Sequence, residues 1–525
     1  MDRGRAAWWQ SAVIYQIYPR SFQDSNGDGV GDLAGILRRL DYLAWIGIDA
    51  IWLSPIYPSP MADFGYDVAD FTGIDPLFGS LADFEALVAA AHERGIKVIL
   101  DYVPNHSSDR HPWFEEARRS RRAGKRDWYI WRDPGPDGGP PNNWLSEFGG
   151  PAWTFDPGTG QYYLHSYLKE QPDLNWRNPA LKAAMEDVLR FWLDRGVDGF
   201  RLDALHHVIK DELFRDNPAN PNFRPGMAPH HLLERLYTVD RPEVHEVIAG
   251  LRRIVDGYGE RVLIGEIHLP LPQLMRYYGV GGQGLQLPFN FSLLKASSWT
   301  PANLRPLIAA YEAALPAGAW PNWVLGNHDS PRVASRLGPS LARLAALLLL
   351  TLRGTPTIYY GDEIGMENVA IPPDRVQDPF EKNVPGMGLG RDPERSPMRW
   401  SAEPQAGFTT GTPWLPLGGN LAERNVKAEA AEPGSMLSLY RRLIALRKAQ
   451  PALALGSYAG IETDPRCLGF LREMGGDRLL VLLNFSDAAC RVPQKGRLLL
   501  STEAERPMTE IGELRPAEGV VLQLG

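Results

Sequence analysis

Cysteine is nearly absent: two in 525 residues, Cys467 and Cys490. That excludes a disulfide framework and suits a reducing cytoplasm in which both thiols stay free. Basic excess is absent too. Fifty-five Lys and Arg stand against 63 Asp and Glu, a net charge of −8. The one short basic run, Arg118 to Arg126, reads as a solvated helix face, so no nucleic-acid partner is expected. No apolar run reaches the roughly twenty residues that a bilayer span requires. The longest, Leu344 to Leu352, is closed by Arg343 and Arg353 and reads as a buried helix. The opening Met1 to Trp9 lacks the apolar segment of a signal peptide. The expectation is a cytoplasmic protein without a membrane partner.

What is present is a large core and many loops. Apolar residues make up 44% of the chain, and 52 glycines with 45 prolines point to long structured connections. Buried-strand candidates are Val13–Tyr18, Ala50–Ser54, Val98–Val103, Gly199–Asp203, Val262–Glu266, Leu285–Phe291, Trp323–Asn327 and Thr355–Tyr360. Between them, sets such as Leu33-Ile36-Leu37-Leu40-Leu43 and Leu181-Met185-Val188-Leu189-Trp192 carry helical spacing. Strands alternating with helices imply a parallel sheet covered on both faces, and eight strands close a (β/α)8 TIM barrel. An open doubly wound sheet would want a glycine-rich phosphate loop after its first strand, and none is there.

Two regions break the alternation. From Ser107 to about Pro172, Gly, Pro, Trp and Tyr dominate, as in Asp133-Pro134-Gly135-Pro136, which reads as a loop-rich subdomain inserted after strand three (107–172). From about Leu453 onward short β-type runs recur, Leu479–Leu483, Leu498–Leu500 and Gly519–Leu524, implying a C-terminal antiparallel β-sandwich (453–525). The barrel then takes 1–106 and 173–452.

Catalytic groups in a barrel sit at the C-terminal ends of strands. Strand three runs into Asp101-Tyr102-Val103-Pro104-Asn105-His106, strand four ends Arg201-Leu202-Asp203, strand five ends Glu266-Ile267-His268, and strand seven ends Asn327-His328-Asp329. Carboxylates converging with an arginine on one mouth suit glycoside cleavage. That reaction needs one carboxylate to attack or support an oxocarbenium-like centre and a second, protonated, to donate to the leaving oxygen. Arg201 shares a strand face with Asp203 and is expected to keep it ionised. Glu266, among uncompensated carboxylates, is expected to be raised.

These segments resemble the signature regions of the α-amylase superfamily, glycoside hydrolase family 13. Gln171-Pro172-Asp173-Leu174-Asn175 resembles its exo-acting α-glucosidase and oligo-1,6-glucosidase branch. The resemblance implies Asp203 as nucleophile, Glu266 as general acid/base and Asp329 as transition-state stabiliser, with His106, Gln171, Arg201 and His328 lining the same subsite. It implies that Asp63 and Tyr66, in Met61-Ala62-Asp63-Phe64-Gly65-Tyr66, bind the terminal glucose, that Asp63 pairs with Arg395, and that Phe148 forms an aromatic wall. In the resembling branch a small residue after the nucleophile, as Ala204 is here, goes with α-1,4 linkages and valine with α-1,6. Arg399 stands where relatives often carry glutamine.

The expected substrates are small α-glucosides: maltose, short malto-oligosaccharides, and aryl or alkyl α-glucosides. Transglycosylation, sucrose isomerisation and α-1,6 hydrolysis would use the same carboxylates. A non-catalytic relative would have lost those carboxylates, and this chain keeps all three.

Asp24-Ser25-Asn26-Gly27-Asp28-Gly29-Val30-Gly31-Asp32 spaces oxygens at alternate positions, as a hard divalent cation needs. Its twelfth position is Gly35, so it is not an EF-hand. The resemblance implies one structural Ca2+ (Mg2+ in its place) on Asp24, Asn26, Asp28, Asp32 and the carbonyl of Val30.

Overall fold

A computed structural model describes residues 6–509 and 511–525; residues 1–5 of the opening segment lie outside the described residues. Eight parallel strands form one sheet: β1 (Ile14–Ile17), β2 (Ala50–Leu53), β3 (Lys97–Tyr102), β4 (Gly199–Leu202), β5 (Val262–Gly265), β6 (Leu287–Pro288), β7 (Asn322–Val324) and β8 (Thr355–Tyr359). Their order is β7-β8-β1-β2-β3-β4-β5-β6, a nearly closed TIM barrel. Each expected strand is found; β3 keeps its length but starts one residue earlier, and the others are shorter by a residue or more. β6 and β7, the shortest, flank the one seam without ladder pairing.

Period-two alternation sorts these strands between two cores. Ile14, Ala50, Trp52, Ile99, Val262, Ile264, Leu287 and Val324 share a cluster filling the barrel. Tyr15, Ile17, Ile51, Leu53, Val98, Leu100 and Leu202 face outward, into the main core with Leu87, Val88, Met185, Leu189 and Trp192 of the surrounding helices. Those helices begin on legible caps. Ser80 and Asp83 form a capping box at Leu81–Glu93, and Asn178 accepts from Ala180 and Leu181 ahead of Pro179–Leu193. The helical pattern from Leu33 to Leu43 is broken at Arg39 into two short helices. At Gly199 a Cβ would lie 2.5 Å from Val262, so that strand pair needs glycine to approach so closely.

The apolar run Leu344–Leu352 lies at the end of helix Val333–Thr351, which is kinked where Gly338 adopts φ 76° before Pro339. Leu344 to Leu350 are buried, and Leu344 and Leu347 reach Gly519 of the C-terminal sheet. That sheet runs Ser457–Gly460, Cys467–Met474, Asp477–Asn484, Gly519–Gln523, Arg497–Ser501 in antiparallel order, beside a two-stranded pair, Cys490–Arg491 with Glu513–Leu514. Both cysteines are free and buried. Between β3 and β4 lies a small antiparallel sheet of Trp131–Arg132, Gln161–Leu164 and Trp153–Asp156. The basic run is not a solvated helix face. Its helix ends at Arg118, and Arg126 is buried with its guanidinium 3.4 Å from the centre of the Trp131 ring.

Candidate active site

Strand register assembles the centre. Leu202 pairs with Gly265, so the next residues, Asp203 and Glu266, stand side by side; Asp101 pairs with Arg201 on the neighbouring ladder. The amides of Asp203 and Glu266 extend the ladders by one bond each, to Tyr102 O (2.9 Å) and Leu202 O (3.0 Å). All four side chains have the parity of the residues that fill the barrel, so they form the polar layer on top of its apolar plug.

Arg201, 1% exposed, ties that layer together. Its Nη1 donates to Asp101 Oδ1 (2.7 Å) and Asp203 Oδ1 (2.8 Å), and its Nη2 lies 2.8 Å from Glu266 Oε2. The Ala204 amide also donates to Glu266 Oε2, at 3.0 Å. Ala204 holds φ 44°, a left-handed conformation that a β-branched side chain adopts only under strain. His268 Nε2 lies 2.9 Å from Glu266 Oε1.

The electrostatics reverse the sequence expectation. Burial would raise Glu266, but Arg201, His268 and the Ala204 amide outweigh it and hold the carboxyl well below its ordinary range. Asp203 is raised by burial beyond what Arg201 offsets, with Glu266, Asp101 and Asp329 adding to the rise. The sequence places Arg201 beside Asp203, but only the folded barrel brings its second nitrogen onto Glu266. Burial likewise pushes Asp101 up to about 6.

Past β7, His328 is sandwiched between Tyr66 (5.3 Å between ring centres) and Tyr18 (5.7 Å). Gln16 Nε2 donates to its Nδ1 at 2.7 Å, so Nε2 carries the hydrogen toward Asp329 Oδ2 at 3.2 Å. Burial lowers His328 to about 3 and His106 to about 4, so both act as neutral hydrogen-bonding groups. His106 Nε2 meets the Tyr66 carbonyl at 3.2 Å. Asp329 would be raised by burial, but His328, Arg391 and Arg395 hold it ionised.

The arginine paired with Asp63 is Arg391, not Arg395. Arg391 Nη2 donates to Asp63 Oδ1 at 2.8 Å and to Asp378 Oδ1 at 2.6 Å, while Nη1 reaches Asp329 Oδ1 at 3.1 Å. Arg395 instead donates to the His328 carbonyl (2.7 Å) and to Asp329 Oδ1 (2.8 Å), four residues further along the same segment. Both arginines precede the Ser396-Pro397-Met398 motif, and spacing alone does not tell them apart.

The pocket is lined by Asp63, Tyr66, His106, Phe148, Tyr167, Asp203, Glu266, His328, Asp329 and Arg391. Arg201, Gln171 and Arg395 stand behind this lining; Gln171 Nε2 donates to Asp63 Oδ2 at 3.2 Å. Phe148 packs its ring 4.9 Å from the Arg391 guanidinium. Tyr167, Arg391 and Asp378 carry no motif signal, since all three lie in irregular segments. Arg399 lines a separate cavity with Arg424 and donates to the Gly419 carbonyl.

Against this geometry, the alpha amylase catalytic-domain family matches residues 16–456. The chain belongs to the α-amylase family of glycoside hydrolases. This family member is 44% identical to a probable alpha-glucosidase of Rhizobium meliloti, over 92% of this chain and 90% of the relative. It is 40% identical to an oligo-1,6-glucosidase of Parageobacillus thermoglucosidasius, over 91% of each. The crystal structure of an alpha-glucosyl transfer enzyme, XgtA, superposes with a TM-score of 0.92 at 40% identity, covering 99% of this chain and all of that one.

The loop from Asp24 to Asp32 spends its side-chain oxygens on itself. Asp24 Oδ1 accepts from Asn26 and Gly27, Asn26 Oδ1 from Asp28, and Asp28 Oδ1 from Val30. Asp32 caps the following helix at Gly35 and accepts from Ser25. Among the described residues no three Asp, Glu, His or Cys groups cluster closely enough to hold a metal. The donor set is nevertheless all oxygen, with three carboxylates, an amide and the Val30 carbonyl, although Asp24 already accepts four hydrogen bonds, from Asn26, Gly27, Gly29 and Thr409. That chemistry suits a hard cation.

Proposed function

We propose that the protein is a retaining, exo-acting α-glucosidase that releases terminal glucose from short α-glucosides such as maltose. The observation that carries this reading is the single guanidinium of Arg201, bonded to both Asp203 and Glu266. A shared guanidinium keeps the two carboxyls close, and the retaining pathway needs them about 5–5.5 Å apart. Glu266 gives its proton to the glycosidic oxygen as Asp203 attacks C1, forming a β-glucosyl ester and breaking the C1–O bond. Glu266, now a carboxylate, takes a proton from the water that attacks the ester, and α-glucose leaves. Asp329, kept ionised, accepts hydrogen bonds from the sugar hydroxyls. Burial raises Asp203 while Arg201 and His268 hold Glu266 down, and the two titrate as a unit, so a proton shared by the pair must reside on Glu266 in the productive complex.

Ala204 supports α-1,4 over α-1,6 cleavage. The likeness to an α-glucosyl transfer enzyme supports a second outcome, in which an alcohol replaces water on the same ester. Incubation with maltose, isomaltose and sucrose, each with and without an alcohol acceptor, tests both, with fresh product followed by NMR. The expected result is α-glucose appearing first, and fastest from maltose. β-Glucose appearing first would overturn the retaining mechanism.

One Ca2+ on Asp24, Asn26, Asp28, Asp32 and the Val30 carbonyl would crosslink the loop after β1 to the helix behind it, adding stability and taking no part in the chemistry. Chelation should then lower the melting temperature by about 2 °C or more, and Ca2+ should restore it. An unchanged melting temperature would mean that the loop's own hydrogen bonds suffice.

A further inference from the structure

Beside the acid/base, and outside the glucose pocket, lies a cavity of about 290 Å³. Its walls are largely apolar, with Leu271, Leu274, Phe291 and Leu307, and its polar lining includes His268, Asn290, Ser292 and Lys295. Two of these donors, Asn290 Nδ2 and Ser292 Oγ, lack acceptors. Asn290 is 2% exposed; its Oδ1 accepts from the Ser292 amide, and its Nδ2 has no partner. Ser292 Oγ has none either.

Lys295 is accessible to solvent, and its Nζ lies 3.0 Å from His268 Nδ1. Among the described residues no carboxylate lies within 4 Å of it. An ammonium only donates, so Nδ1 is the acceptor and Nε2 carries the hydrogen that points at Glu266. The ring is fixed by stacking on Phe291, 4.5 Å away and 8° from parallel. The other acid on this side, Glu147, is already taken by Arg235 at 2.8 Å.

An apolar pocket edged by unpaired donors and an ammonium without an anion has one chemical complement. We propose that this cavity binds a small amphipathic oxyanion, an aryl or branched-alkyl carboxylate or phosphate monoester. Its charged end would lie on Lys295, Ser292 and Asn290, and its apolar body against Leu271, Leu274 and Leu307. The imidazole of His268 contacts both Lys295 and Glu266, so an occupant competing for Lys295 acts on the group that holds the acid/base. That consequence rests on the catalytic reading of Glu266; the binding does not.

The test uses the whole protein without glucoside, titrated calorimetrically with benzoate, phenyl phosphate and neutral benzamide. Benzoate or phenyl phosphate should bind saturably, about tenfold or more tightly than benzamide, and the tighter of the two names the oxyanion. Lys295→Met, a change at an accessible side chain, should weaken anion binding by about tenfold or more. No saturable binding of either anion, benzamide binding as tightly, or an unchanged affinity in Lys295→Met would overturn the proposal. So would purely competitive displacement of bound anion by glucose, which would place it in the glucose pocket. Loss of hydrolysis with anion binding intact would count against the α-glucosidase reading instead.

Discussion

Replacing Asp203 with alanine should lower turnover by about four orders of magnitude or more while the fold survives. Asp203 stands at a strand end, and removing it strands no cation, because Arg201 keeps Asp101 and Glu266. Glu266→Ala should lose about 10²–10⁴-fold on substrates with poor leaving groups, and much less on activated aryl α-glucosides, whose departure needs no proton. Azide separates the two roles by stereochemistry. In Glu266→Ala the covalent intermediate still forms, and azide displaces it to give α-glucosyl azide. In Asp203→Ala azide fills the space left by the carboxylate, attacks C1 directly and gives β-glucosyl azide. The opposite pairing of variants and products would exchange the two assignments. Near-wild-type activity in a clean Asp203→Ala preparation would remove Asp203 from the mechanism altogether.

The barrel was legible because each strand is a short apolar run bounded by polar segments, and because its charged residues cluster at one kind of end. Asp203 and Glu266 share that property, and register does the rest: once Leu202 pairs with Gly265 the two carboxyls are neighbours. What the chain did not reveal was which of them is pushed up and which is held down. That depends on Arg201, whose two nitrogens reach across three strands, a contact set by barrel curvature and not by spacing along β4. The Arg395 assignment failed for a related reason. Two arginines four residues apart both approach Asp329, and only the short helical turn Asp392–Arg395 between them aims Arg391 at Asp63. Tyr167 and Asp378 reach the site from loops without periodicity, where sequence patterns carry little positional information.

Asp63→Ala should lower kcat/KM for maltose by about 10²–10³-fold, the scale of a broken buried ion pair. Asp63 is 4% exposed, and burial raises its carboxyl against the opposing pull of Arg391 and Arg395. Removing it leaves Arg391 with Asp378 and Asp329, and that redistribution carries the argument. Arg391 is pulled away from the wall that Asp63, Phe148 and Gln171 build and toward Asp329, the carboxylate proposed to hold the sugar hydroxyls. The loss should therefore fall on kcat as well as KM, whereas a simple lost contact to glucose would raise KM alone. The same wall predicts the mode of attack. On the proposed reading, a buried Asp63–Arg391 pair would close the end of the pocket and leave no exit for a second sugar beyond the non-reducing terminus, so internal bonds of a polymer should not reach Asp203. Maltose and p-nitrophenyl α-glucoside should be good substrates and soluble starch a poor one, with viscosity unchanged while glucose accumulates. Starch whose viscosity falls before glucose appears would mean that the pair opens, and the protein would then act from within chains.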